Sequence, residues 1–257
     1  MLAAACLLIA VVVYLPALRN GFAYDDAVVI TEHAQVTGHA WRAIWASPYH
    51  VGRWFAASTG IYRPLTVTSF ALDHAAGGGA PAVFHTTSVL WHALATALVA
   101  LCALRLGFGE RGAFAGGLLF AVHPVHVEAV AALAGRSDVI AATFALGAVL
   151  FALPGTGRRV RALPAGLCLA AALFAKESAL PVAALLPLVP WLGTDAPRAR
   201  VDSIRLGVAA ACAALSYLVV RAAVLGALTL PTGAVTFYEN PLFGQPLGTR
   251  LLTVLAV

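Results

Sequence analysis

Apolar runs suited to a hydrocarbon core about 30 Å thick recur along the whole chain, and they limit the fold more than any motif does. They fall at 2–18, 81–104, 113–134, 139–153, 163–175, 179–192 and 204–225, and one more begins at 251 and is cut off by the chain end. With 61% of the 257 residues hydrophobic and 11% charged, there is too little polar surface to cover a water-soluble domain. The expected fold is all-α: a polytopic helical membrane protein with a long first loop over 19–80. Pro181, Pro187 and Pro190 predict broken or tilted helices in the short sixth run.

Arginines set the expected orientation. Alternate loops hold Arg105 and Arg111, then Arg158, Arg159 and Arg161, then Arg198, Arg200 and Arg205. Positive-inside bias assigns these to the cytoplasm and the 19–80 loop to the periplasm or a lumen. That asymmetry also accounts for the net charge of +5 without nucleic acid as a partner. Cys6, Cys102, Cys168 and Cys212 lie in apolar runs without CxxC spacing, so neither disulfides nor a thiolate metal site is implied.

The polar residues then gather on one side. Asp25 and Asp26 follow the first run, and adjacent carboxylates beside a membrane cost free energy unless they are used. Such a pair suits proton transfer, or Asp26 simply caps the next helix. Trp41, Trp45, Tyr49, Trp54 and Phe55, interspersed with Arg42, His50 and Arg53, suit a helix lying in the membrane interface. Pro64 forces Arg63 toward an extended conformation that presents its guanidinium. His123-Pro124-Val125-His126-Val127-Glu128 sits in the third run, with Gly135-Arg136-Ser137-Asp138 at its outer end. Pro124 predicts a bend there. His123 and His126 share a face of an ideal helix and Glu128 points elsewhere, so a polar network between helices is favoured over a metal site. No cofactor is assigned, and a divalent metal is the weaker reading. Lys176, the only lysine, stands beside Glu177, where it either pairs locally or anchors at the interface. Cations beside carboxylates at an outer headgroup level suit a lipid-linked anion reacting with an acceptor outside the cytoplasm.

In order along the chain stand Asn20-Gly21-Phe22-Ala23-Tyr24-Asp25-Asp26, Tyr62-Arg63-Pro64-Leu65-Thr66, Phe84-His85, Phe120 through Val130, Gly135-Arg136-Ser137-Asp138 and Ala175-Lys176-Glu177-Ser178. Glu239-Asn240-Pro241 and Thr249-Arg250-Leu251-Leu252-Thr253 close the set. The set resembles the membrane part of the transmembrane and tetratricopeptide-repeat O-mannosyltransferases, of the GT-C glycosyltransferase class, including their bacterial relatives. The resemblance runs from about residue 19 to the C-terminus. It implies a sugar, expected to be mannose, moved from a polyprenyl or dolichyl phosphate to a hydroxyl of an extracytoplasmic protein acceptor. It makes Asp25 and Asp26 the catalytic pair and Lys176 a donor-phosphate contact. Arg136 and Arg63 are the further phosphate candidates, and His123, His126, Glu128, Asp138 and Glu177 are expected as a supporting polar network. The bilayer, the lipid-linked donor and the acceptor are the expected partners. The expected location is the inner or plasma membrane of a bacterium, or the endoplasmic reticulum of a eukaryote. No repeat near 34 residues occurs, so the family's C-terminal repeats are absent and a fragment is expected. A transporter or flippase, or a non-catalytic scaffold of the same ancestry, are the competing readings.

Overall fold

A computed structural model describes residues 1–50, 60–153, 160–192 and 196–226, with a few isolated positions beyond 244. Among them every regular element is helical. Four helical segments are long and apolar enough to cross a membrane: Leu2–Arg19, Pro81–Arg105, Leu133–Ala152 and Pro197–Leu225. A fifth is the bent pair Gly109–Val122 and Pro124–Ala131, and the shorter apolar helices Ala162–Ala175 and Glu177–Leu192 complete the bundle. The protein is a multi-pass membrane protein. Leu8, Val12, Leu163, Leu167, Leu215 and Val219 are large apolar side chains exposed on these helices, where hydrocarbon replaces water. The run expected from 251 lies outside the described residues, apart from isolated positions.

The helices are α1 (Leu2–Tyr14), α2 (Ala34–Thr37), α3 (Trp41–Trp45), α4 (Pro64–Gly77), α5 (Pro81–Arg105), α6 (Gly109–Val122), α7 (Val127–Ala131), α8 (Arg136–Ala152), α9 (Ala162–Ala175), α10 (Leu180–Leu185) and α11 (Ala196–Leu225). Proline at the first position starts α4 and α5, where its missing N–H costs nothing. Small residues let the bundle close. A Cβ on Gly166 of α9 would come within 3.0 Å of the Ala209 side chain on α11, and within 3.2 Å of its carbonyl oxygen.

One stretch breaks where its proline predicts a bend, and a second differs from the sequence-based expectation. The run at 113–134 is not one helix. The chain is extended at His123, Pro124 opens a 3-10 turn, and the two halves meet at a bend of 47°. Proline removes a helical hydrogen bond and clashes with the preceding turn, so the helix stops before it. The 19–80 loop is a folded layer of its own: Val29, Ile30, Val36, Ile44, Tyr49, Val67 and Phe70 form an apolar cluster with Phe84 of α5 and Leu133. Among the described residues the aromatic stretch forms the five-residue α3, whose Ile44 enters that cluster with Tyr49 while Trp41 and Trp45 stay outside. Trp54 and Phe55 lie outside the described residues.

Candidate active site

A cavity of about 950 Å³ opens at the end of the bundle covered by the first loop. Its walls come from five stretches of sequence: 20–26, Arg63, the bent segment at 125–135, Ser137 and Asp138 of α8, and Lys176. Asp25, Asp26, Arg63, Glu128, Asp138 and Lys176 are thus brought together from positions up to 151 apart in sequence.

The two adjacent aspartates differ. Tyr24 takes a left-handed φ of 47°, uncommon for a residue with a Cβ, in the turn that leads into them. Asp26 is 2% exposed and both of its oxygens are used: Oδ2 accepts from the Ala23 N–H and Oδ1 from the Ala134 N–H, each at 3.0 Å. It ties the first loop to the segment before α8. Asp25 is exposed, with its side chain at the cavity wall.

Two ion pairs face the same space. Lys176 Nζ donates to both oxygens of Asp138 at 2.6 Å. Arg63 grips Glu177 with two bonds, Nε to Oε2 at 3.0 Å and Nη2 to Oε1 at 2.6 Å, and reaches Ser137 Oγ at 3.4 Å. The guanidinium lies 5.4 Å from the centre of the Tyr49 ring. Burial alone would lower the pKa of Arg63, but the two-pronged bond to Glu177 outweighs it and raises the value above that of a free arginine. Lys176 does not pair with its neighbour Glu177. Its backbone is extended (φ −158°, ψ 133°), so successive side chains leave in opposite directions.

Arg136, expected among the phosphate contacts, is turned inward and has no exposure. It pairs with Asp73 of α4, donates to Ser69, Ser88 and the Phe84 carbonyl, and does not reach the cavity. Glu128 lies in the cavity wall and His123 and His126 do not, in keeping with the helical spacing that separates it from them. His123 is exposed and accepts from the Val125 N–H at 3.2 Å, a local turn contact. The His126 ring packs at a tilt, its centre 4.3 Å from that of Phe120 and 5.2 Å from that of His92.

These rings lie beside a second, mostly apolar groove of about 330 Å³, lined by His92, Ala95, Phe120, His126, Ala141, Ala142, Ala145 and Val182. It meets the charged cavity at Ala129 and Asp138, which belong to both walls. Among the described residues no group of three His, Cys, Asp or Glu is placed to hold a metal ion. Asp73 had escaped notice in the sequence. A lone carboxylate within the apolar stretch 64–77 was the available signal.

Over 270 aligned residues that take in 97% of the chain, it is 37% identical to the Protein O-mannosyl-transferase Tmtc2 of Drosophila melanogaster. The chain is homologous to the TMTC protein O-mannosyl-transferases. The Drosophila Tmtc1 protein is 42% identical across 53% of the chain, and human TMTC2 34% identical across 67%. The match is to the membrane portion of these proteins, and the chain spans 28%, 16% and 22% of their respective lengths. No protein-family model matches the chain, and no solved structure does.

Proposed function

We propose that this chain is the membrane part of a glycosyltransferase that moves a sugar, mannose by homology, from a polyprenyl or dolichyl phosphate to a hydroxyl of a protein acceptor on the extracytoplasmic side. The observation that carries this reading is the cavity itself. It combines an exposed carboxylate, Asp25, with the cations of Lys176 and Arg63, and an apolar groove continues from it between the helices. A lipid phosphate needs that combination, because its headgroup requires cations while its hydrocarbon tail stays in an apolar environment. The relatives, protein O-mannosyl-transferases by name, point to the sugar and the protein acceptor.

In this reading Asp25 is the catalytic base. The acceptor hydroxyl oxygen bonds to the anomeric carbon and its proton passes to Asp25. The bond from that carbon to the phosphate oxygen breaks with its electron pair, and the charge left on the phosphate is neutralised by Lys176 and Arg63. Asp26, with both oxygens already accepting backbone N–H groups, holds the loop in place.

Asp25→Asn should cut transfer from a polyprenyl-phosphate sugar by about 10²-fold or more, since the amide cannot take the proton, while membrane insertion stays normal. Asp26→Asn removes one of two backbone anchors and should cost stability more than turnover at saturating substrate. Near-normal turnover of Asp25→Asn would sink the assignment of the base. Transport of the lipid donor without any transfer would favour a flippase instead.

A further inference from the structure

Five consecutive residues, 134–138, reach most of the cavity's polar walls. The Ala134 N–H holds Asp26 at 3.0 Å, and Gly135 lies so close to the start of α7 that a Cβ there would come within 2.5 Å of the Glu128 carbonyl oxygen. Ser137 accepts from Arg63 and Asp138 accepts from Lys176. Between them Arg136 points the opposite way, into the protein. Its Nε donates to Ser88 Oγ at 3.0 Å and its Nη1 to Ser69 Oγ at 3.3 Å and to the Asp73 carboxylate; its Nη2 donates to the Phe84 carbonyl. Thr87 Oγ1 donates to the other Asp73 oxygen at 2.7 Å, and the guanidinium lies 4.5 Å from the centre of the Phe70 ring. One planar fork therefore joins α4, α5 and the first turn of α8.

We propose that Arg136, acting through Asp73, is a positioning residue for the donor's phosphate. It fixes the rotation of the first turn of α8, and with it the places of Ser137, Asp138 and their cationic partners. Adjacent residues on a helix are about 100° apart, so Ser137 and Asp138 face the cavity only while Arg136 stays seated. Arg136 has no exposure and touches no ligand itself. An ammonium cannot reproduce several directed bonds in one plane, so lysine is no substitute here. The donor part of this proposal rests on the phosphate-donor reading above; the geometric part does not.

The test uses the full chain in lipid vesicles, with two variants. Arg136→Lys keeps the charge and loses the fork. Arg136→Met combined with Asp73→Leu removes the pair at similar volume, a change that buried ion pairs often survive as folded protein. Two readouts are taken. One is the KM for a polyprenyl-phosphate sugar beside the acceptor KM and kcat. The other is the rate at which an amine-reactive reagent modifies Lys176, the only lysine in the chain, located by peptide mapping. The expected result is a donor KM raised about 10-fold with acceptor KM and kcat within about 3-fold, and Lys176 labelled several-fold faster because Asp138 no longer holds it. Unchanged labelling and unchanged donor KM in a folded double variant would overturn the proposal and leave the pair as packing. Faster labelling in a chain that transfers no sugar would support the positioning role while removing the donor reading.

Discussion

At the cavity the side chains of Lys176 and Asp138 are 22% and 48% exposed and those of Arg63 and Glu177 13% and 43%, whereas Arg136 and Asp73, joined through the same short segment of chain, are closed at 0% and 8%. The chemistry of the three pairs is alike, and their surroundings separate them. The more a pair is open to solvent, the more cheaply it exchanges partners: the Lys176–Asp138 pair contributes about 0–1 kcal/mol and leaves its cation ready for another anion, and the two-pronged Arg63–Glu177 pair is held more firmly. A closed pair is costly to assemble and costlier to break. Removing one member leaves an uncompensated charge with no water to receive it. An exposed pair can serve a ligand, and a closed one can serve only the geometry around it.

The largest effect that would test this contrast is on stability. Asp73→Ala strands the Arg136 guanidinium, and breaking a buried pair in this way costs roughly 3–5 kcal/mol. Asp138→Ala should cost no more than about 1 kcal/mol, because Lys176 can turn to water. Unfolding of the two variants, followed in detergent by helical circular dichroism against denaturant, compares them directly. Equal losses would mean that exposure does not divide the pairs.

Next in size is an effect on binding. Lys176→Ala should raise the donor KM by about 10-fold, about 1.4 kcal/mol of lost contact, with a smaller change for the acceptor. If Lys176 serves only to neutralise Asp138, then Lys176→Ala with Asp138→Ala should restore donor affinity. That recovery would leave Arg63 as the cation on which the phosphate reading depends.

The contrast between open and closed pairs also marks how far the sequence was legible. Helix positions were readable because apolar runs such as 81–104 and 204–225 exceed what a soluble helix needs, although α11 begins earlier, at Ala196, and carries Arg198, Arg200 and Arg205 on its first three turns. The gathering of Asp25, Arg63, Asp138 and Lys176 followed from alternating loops. Roles that depend on side-chain direction did not follow. Asp25 and Asp26 are indistinguishable as neighbours, and only the partner N–H of Ala134, 108 residues away, separates them. Arg136 sits in a polar run at the end of a span, which reads as outward-facing. Its partner Asp73 lies 63 residues earlier, in a helix that reads as loop. Adjacency offers Glu177 as one partner for Lys176, and the extended backbone at Lys176 turns the two side chains apart.

The smallest effect concerns His33, a third kind of group: buried, ionisable, and given no counter-charge. It has no exposure, its Nε2 donates to the Tyr49 carbonyl at 3.2 Å, and among the described residues Nδ1 finds no partner. A carbonyl accepts only, so the ring is the neutral tautomer with its hydrogen on Nε2. A proton added at Nδ1 would be a buried charge without an acceptor, and burial accordingly lowers the pKa of His33 below its ordinary 6.5. The unfolded chain therefore takes up the proton more readily than the folded one. Stability from this residue is fully present above about pH 6.5 and is lost as the pH falls from there through the lowered folded value. Hydrogen exchange of residues 27–49 should quicken a few-fold between pH 7 and pH 5, after correction for the intrinsic pH dependence of exchange. His33→Gln, which can still donate to Tyr49 but does not titrate, should remove that change. Arg136, with its counter-charge in place, predicts no comparable loosening of α8 over the same range. If α8 loosens alongside the first loop, the acid response is global and His33 is not its source.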